Sequence, residues 1–136
     1  MYIDEKSVSA MLKTVSIAGI EKQGVPFKKE STSLDEATQH VSIGNLTWIE
    51  CVVDDIASET PKILEKLNIN MDSSTLLSGY LTEYEDVGDT LGIMVPFIFT
   101  GENRTQTSPC LIFLKKDLIV TIHDDYGGKI TKLYNY

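Results

Sequence analysis

Between Cys110 and Asp125 the chain reads CLIFLKKDLIVTIHDD, two apolar runs around the charged triplet Lys115-Lys116-Asp117. Neither run alternates apolar with polar residues, as a strand with one wet face does. The pattern predicts two strands, Cys110–Leu114 and Leu118–His123, with Lys115-Lys116-Asp117 as the tight turn between them. Asp117 tolerates the left-handed conformation that a short turn requires. Such a hairpin is stable only inside a sheet, with other layers laid over it.

The rest of the chain supplies those layers. LTWIECVV, from Leu46, predicts a strand that is β-branched and aromatic, with apolar residues on both faces at Ile49, Val52 and Val53. DDIASETPKILEKLNI predicts a helix with Ile63, Leu64 and Leu67 as its buried stripe. Pro61 is expected in its first turn, Ser58 or Thr60 as its cap, and Asn68 as its stop. MDSSTLLSGYL predicts a short helix capped by Asp72 or Ser73 and broken at Gly79. Strands follow over Thr82–Val87 and Leu91–Thr100, with a turn at Gly88-Asp89. Pro96 marks an edge or a bulge in the second of these. ENRTQTS then reads as a loop.

Before Leu46 the pattern is weaker. MLKTVSIAGI and GVPFKKEST read as extended pieces, because Pro26 favours extended geometry at Val25. SLDEATQHV carries a capping box, Ser33 with Glu36, and Gly44-Asn45 reads as a turn. Helices among antiparallel hairpins predict one α/β domain over residues 1–136 with a mixed parallel/antiparallel sheet.

Composition narrows the function. The net charge of −8 argues against a nucleic-acid partner and against an anionic membrane surface. Residues 51–100 hold nine acids and two lysines, so −7 of that charge sits there. The N-terminus lacks the pattern of a signal peptide, and no window approaches the ~18 apolar residues of a membrane span. The chain is expected to be soluble and intracellular. Cys51 and Cys110 each lie in an apolar run and read as buried hydrophobes. A single disulfide is possible, but a cytosolic setting favours free thiols.

Catalytic motifs are missing. His40 and His123 are the two histidines, and neither sits in a metal-ligand spacing. GxSxG, GxxxxGK[ST] and GxGxxG do not occur. His123 reads as a satisfied structural histidine at a strand end, and Trp48 as a core anchor. An enzyme is not expected. The one chemical option is a hard cation held by oxygen ligands. Glu83, Glu85, Asp86 and Asp89 crowd seven positions and are the candidate metal ligands for a hard cation such as Mg²⁺ or Ca²⁺. As strand residues, Glu83 and Glu85 share one face and Asp86 the other, so binding is expected to be weak.

The order of these parts resembles a family. Thr47-Trp48-Ile49, Ile63 to Ile69, Leu76-Leu77, Glu83-Tyr84-Glu85-Asp86 and Leu118 to His123 follow one another as in the N-terminal cytoplasmic domain of CorA-type magnesium/cobalt transporters. The likeness spans roughly residues 46–125. It implies an α/β/α sandwich around a mixed sheet and a regulatory, metal-sensing role on the cytoplasmic side of the membrane. It also implies a homopentamer whose chains continue through a long helix into two membrane segments, so residues 1–136 would be a soluble fragment. The partner implied is then the membrane domain of the same full-length chain. Two departures stand out. Ser74-Thr75 precede Leu76-Leu77 where many members carry a Glu-Asp pair that helps bind the regulatory metal. Leu81-Thr82 precede Glu83 in place of a usual Pro-Lys. The reading from another class is a free-standing small α/β protein that binds a ligand or partner; a small hydrolase is a third.

Overall fold

The computed structural model describes residues 12–21, 23–77, 83–100 and 105–124. Along the chain these form β1 (Leu12–Glu21), β2 (Pro26–Ser31), α1 (Leu34–Ile43), β3 (Gly44–Val53), α2 (Ile56–Lys66), α3 (Ser74–Leu77), β4 (Glu83–Val87), β5 (Thr90–Thr100), β6 (Thr105–Lys115) and β7 (Leu118–Asp124). The strands make one seven-stranded sheet in the order β2-β1-β3-β7-β6-β5-β4. Two antiparallel blocks, β2-β1-β3 and β4-β5-β6-β7, meet at the parallel pair β3–β7. α2 and α3 lie in the crossover between the blocks. This is the mixed sheet and α/β class that the sequence predicts.

The hairpin from Cys110 to Asp124 sits inside the sheet, between β5 and β3. Its turn is Lys116-Asp117, with Lys115 opposite Leu118 and Asp117 at φ 62°. In the other predicted hairpin Gly88 takes φ 61° between the paired Val87 and Thr90. A glycine with positive φ at the first central position matches the twist of the flanking strands.

One core joins the helices to one face of the sheet. It contains Val15 and Ile17 of β1, Ile49, Cys51 and Val53 of β3, Val120 and Ile122 of β7, and Leu111 and Phe113 of β6. Leu34 and Ala37 of α1, Ile56, Ile63 and Leu64 of α2, and Leu76 of α3 pack on it. Gly92 of β5 permits the close approach of α3: a methyl there would meet Leu76 Cδ1 at 2.9 Å. The helical layer implied for the opposite face by the α/β/α sandwich is not among the described residues.

The ends of α2 are specified locally. Asp55, not Ser58 or Thr60, is the N-cap; its Oδ1 accepts from the Ala57 N–H at 3.2 Å and its Oδ2 from the Ser58 hydroxyl at 2.9 Å. Pro61 falls inside the helix, past its first turn, at an exposed position where the lost N–H bond leaves a carbonyl open to water. At the other end Asn68 adopts φ 59°, its N–H bonding Glu65 O, and the Ile69 N–H reaches back to Leu64 O at 2.8 Å. Ile69 and Leu64 are both buried, which completes a Schellman stop at the predicted residue.

Elsewhere the structure departs from the sequence reading. Gly44-Asn45 is not a turn, because α1 ends at Ile43 and β3 begins at Gly44, paired with Glu21. Half of the capping box forms: Ser33 Oγ accepts from the Asp35 N–H, while the Ser33 N–H goes to Ser31 Oγ and Glu36 pairs with Lys29. Thr105–Ser108, read as loop, belong to β6. Pro96 stands opposite Pro109 in an unbroken β5–β6 register, so no bulge forms there. Both prolines lie just past the paired spans of the outer neighbours, which reach Met94 on β5 and Leu111 on β6. Neither missing N–H therefore interrupts a described ladder. Gly79 and Gly127-Gly128 lie outside the described residues.

Candidate functional site

The predicted acidic ligands fall at one edge of the sheet. Glu83, Glu85 and Asp86 lie on β4, opposite Met94, Gly92 and Leu91 of β5. Their side chains are outside the described set. Asp89 follows in the turn, where its carboxylate is exposed and already has partners. Oδ1 accepts from the Thr90 hydroxyl at 3.0 Å, and Lys115 Nζ stands 3.9 Å from Oδ2. That same ammonium donates to the Asn68 carbonyl at 3.2 Å, closing the C-terminal end of α2. Among the described residues no three His, Cys, Asp or Glu side chains converge as a metal site.

Other acids have structural work. Asp55 caps α2. Asp124 Oδ1 accepts from the buried Ser108 hydroxyl at 3.1 Å. Asp72 Oδ1 accepts from the Ser74 N–H at 3.0 Å, and that bond holds its carboxyl below the usual range. Ser74 and Thr75, where the resembling family carries its acidic pair, form the first turn of α3.

A second group of polar residues lies on the sheet face turned away from the helices. β3 presents Leu46, Trp48 and Glu50 there, alternating with the core residues Ile49 and Cys51. Trp48 is therefore not a core anchor: it is 37% exposed. Its indole N–H donates to Thr121 Oγ1 of β7 at 3.1 Å. Trp48 also continues an apolar patch through Leu46 and Ile20, which are cross-strand partners at 44% and 42% exposure.

His123 occupies the far end of the same face. It is 2% exposed, with Nδ1 2.9 Å from the Asp124 carbonyl and Nε2 3.7 Å from Glu50 Oε2. Nε2 is buried without a hydrogen-bond partner, so His123 is not the satisfied histidine the sequence suggests. Burial pushes its pKa down, but the Glu50 carboxylate and the Asp124 carbonyl outweigh it, and the net shift is upward.

Both thiols are free and buried. Cys51 lies in register with Ile122 on the helix-bearing face, whereas Cys110, one step past the Leu111–Ile122 pair, lies on the His123 face. The sheet itself separates them. Burial, with a smaller push from the Glu50 charge, raises each to about 12. Thiols so protonated are poor nucleophiles at neutral pH.

Among solved structures the fold is similar to the soluble domain of CorA from Methanocaldococcus jannaschii, with a TM-score of 0.55 and 23% identity over 89% of this chain and 44% of that one. It is similar also to the ZntB cytoplasmic domain from Vibrio parahaemolyticus, with a TM-score of 0.55 and 12% identity over 93% and 49%. At these identities the likeness is one of fold. The chain spans less than half the length of either structure. No protein-family model and no curated protein matches it.

Proposed function

We propose that this chain is the cytosolic regulatory domain of a CorA-like divalent-cation transporter. The observation that carries the reading is the agreement of two independent likenesses. The motif pieces that resemble the family, Thr47-Trp48-Ile49, Ile63 to Ile69, Leu76-Leu77, Glu83 to Asp86 and Leu118 to His123, fall on or against β3, α2, α3, β4 and β7. Those elements belong to a fold that is similar to the CorA and ZntB domains over 89% and 93% of the chain. The role is regulatory rather than enzymatic: the domain responds to Mg²⁺ or Co²⁺ on the cytoplasmic side and biases gating. Its partners are the membrane domain of its own chain and, in the assembled pentamer, neighbouring copies of itself. No helix among the described residues is long and apolar enough to cross a membrane. Permeation is accordingly assigned to chain beyond these residues.

The acids of one copy make a poor site. Asp89 has Lys115 beside it, and Glu83, Glu85 and Asp86 alternate along one edge strand. A tight hard-cation site needs several oxygens within ~2–2.6 Å of one ion. We assign Glu83, Glu85, Asp86 and Asp89 weak binding of Mg²⁺ or Co²⁺, millimolar in the isolated chain and weakened further by salt, which screens over ~8 Å at 0.15 M.

Two measurements test the reading. The parent reading frame should continue past Tyr136 into two apolar segments of ~20 residues; a stop there would return the chain to the free-standing ligand- or partner-binding alternative. Calorimetry with Mg²⁺ and Co²⁺ at low and physiological salt should show weak, salt-sensitive heats. A stoichiometric, salt-resistant micromolar site would refute the weak-site assignment.

A further inference from the structure

His123 is boxed in by groups that fix its protons. The Asp124 carbonyl, 2.9 Å from Nδ1, can only accept, so Nδ1 carries a hydrogen. In a neutral ring Nε2 would then present a bare lone pair. What faces it is the Glu50 carboxylate, with Oε2 at 3.7 Å. Two acceptors opposed, His123 being 2% exposed and the Glu50 side chain 20%, repel each other; a proton on Nε2 makes them an ion pair. Among the described side chains the surroundings offer no other charge of the right sign. From β6 come the neutral Cys110 thiol and the Ser108 hydroxyl, which is given to Asp124. β7 itself adds Thr121, taken by Trp48, and the Asp124 carboxylate, which favours a cation. β1 places Ser16 opposite Glu50, and beyond it β2 places Glu30. No lysine or arginine of these elements occupies that register row.

We propose that Glu50 and His123 form a proton-binding site on the sheet face turned away from the described helices, and that the bound proton clips the C-terminal end of β7 to β3. The clip lies on the parallel strand pair, where Val52 meets His123 and Val53 meets Asp124 at the last described register positions. The two blocks of the sheet join along this pair, so deprotonation weakens their junction where β7 ends. The proton resides on histidine as imidazolium, since imidazole is the stronger base of the two. Folding raises the affinity of His123 for its proton. The stabilisation is therefore complete below the usual histidine pKa of about 6.5 and is lost as pH rises through the higher folded value. The site does not depend on the transporter reading.

Ring ¹⁵N spectra of the full chain test this, with His123→Gln used to assign the signals. The His123 midpoint should lie above the ordinary histidine value, with both ring nitrogens protonated below it. In Glu50→Gln the midpoint should fall below that of the parent. Urea denaturation should show the parent losing stability as pH rises through its midpoint, and Glu50→Gln showing a flatter profile over the same range. A His123 midpoint at or below the ordinary histidine value, or one unmoved in Glu50→Gln, would overturn the proposal. If Glu50→Gln does not fold, the midpoint of the parent ring against the ordinary histidine value decides alone.

Discussion

Gly92 offers a sharp test of how the short helix α3 meets the sheet. A methyl at this position lies 2.5 Å from Met71 Sδ, 2.9 Å from Leu76 Cδ1 and 3.3 Å from Phe113 Cε1. Two effects oppose each other in Gly92→Ala. Gly92 is not among the residues with positive φ, so its backbone suits alanine. Restricting the unfolded chain then stabilises by about 0.4–1 kcal/mol. Against this stands overpacking, which costs about 1–3 kcal/mol. The Met71 sulfur ends a flexible, half-buried side chain and can yield. Leu76 and Phe113 are fully buried and cannot. Carbon atoms settle ~3.5–4.0 Å apart, so the Leu76 methyl must retreat by more than about half an ångström and carry α3 with it. Overpacking wins, and Gly92→Ala should lose about 1–2 kcal/mol in urea denaturation.

The same contact predicts its own relief. In a Leu76→Ala background the obstructing methyl is gone, and Gly92→Ala should cost nothing or stabilise slightly, a coupling of roughly 1–2 kcal/mol in the double-mutant cycle. Gly92→Ala proving neutral in the parent, or costing the same in both backgrounds, would refute the placement of α3 over β5.

Asn68, at φ 59°, should tolerate Asn68→Gly without loss, whereas Asn68→Ala should cost about 1–2 kcal/mol by thermal or urea melts. Lys116→Ala, in the exposed turn, should change stability by less than about 0.5 kcal/mol, and Ile122→Ala, fully buried, should cost about 2–5 kcal/mol; the reverse order would displace the hairpin from the centre of the sheet. Asp55→Ala should cost about 1 kcal/mol through the lost cap, while Ser58→Ala should cost clearly less.

The parts of the fold legible in the sequence are those where one local pattern decides the outcome. The apolar runs of β6 and β7 can only be covered strands, and Ile63, Leu64 and Leu67 can only be one helical stripe. Asn68 and Gly88 are where a left-handed turn residue is needed. The misreadings share a cause as well. Thr105–Ser108 look like loop because they are polar, yet they pair with Phe97–Thr100, and tertiary pairing overrides local composition. Gly44 looks like a turn, but its partner Glu21, far back in the chain, makes it a strand residue. Asp55 is the cap, whereas Pro61, taken as a first-turn residue, places the predicted start too late.

The face opposite the helices is the least legible in the sequence, and the reason is register. Ile49 and Val53 share one face of β3, while Val52 alone was the sign of cover on the other. That sign holds at Val52, which is 6% exposed, but fails at Trp48, at 37%. Burial on this face thus increases along β3 toward Val53. The same direction leads along β7 from Ile119, half-buried, to His123. Charged groups placed at the open end would be solvated and inert, whereas Glu50 and His123 stand near the closed end, where an unpaired charge is costly. Nothing in either strand alone announces the pair, since only the parallel register of β3 on β7 brings the two side chains together. Acids crowded in sequence, such as Glu83 to Asp89, are conspicuous but spread along an edge. The acid that meets a buried, proton-hungry partner is a single glutamate inside an apolar strand.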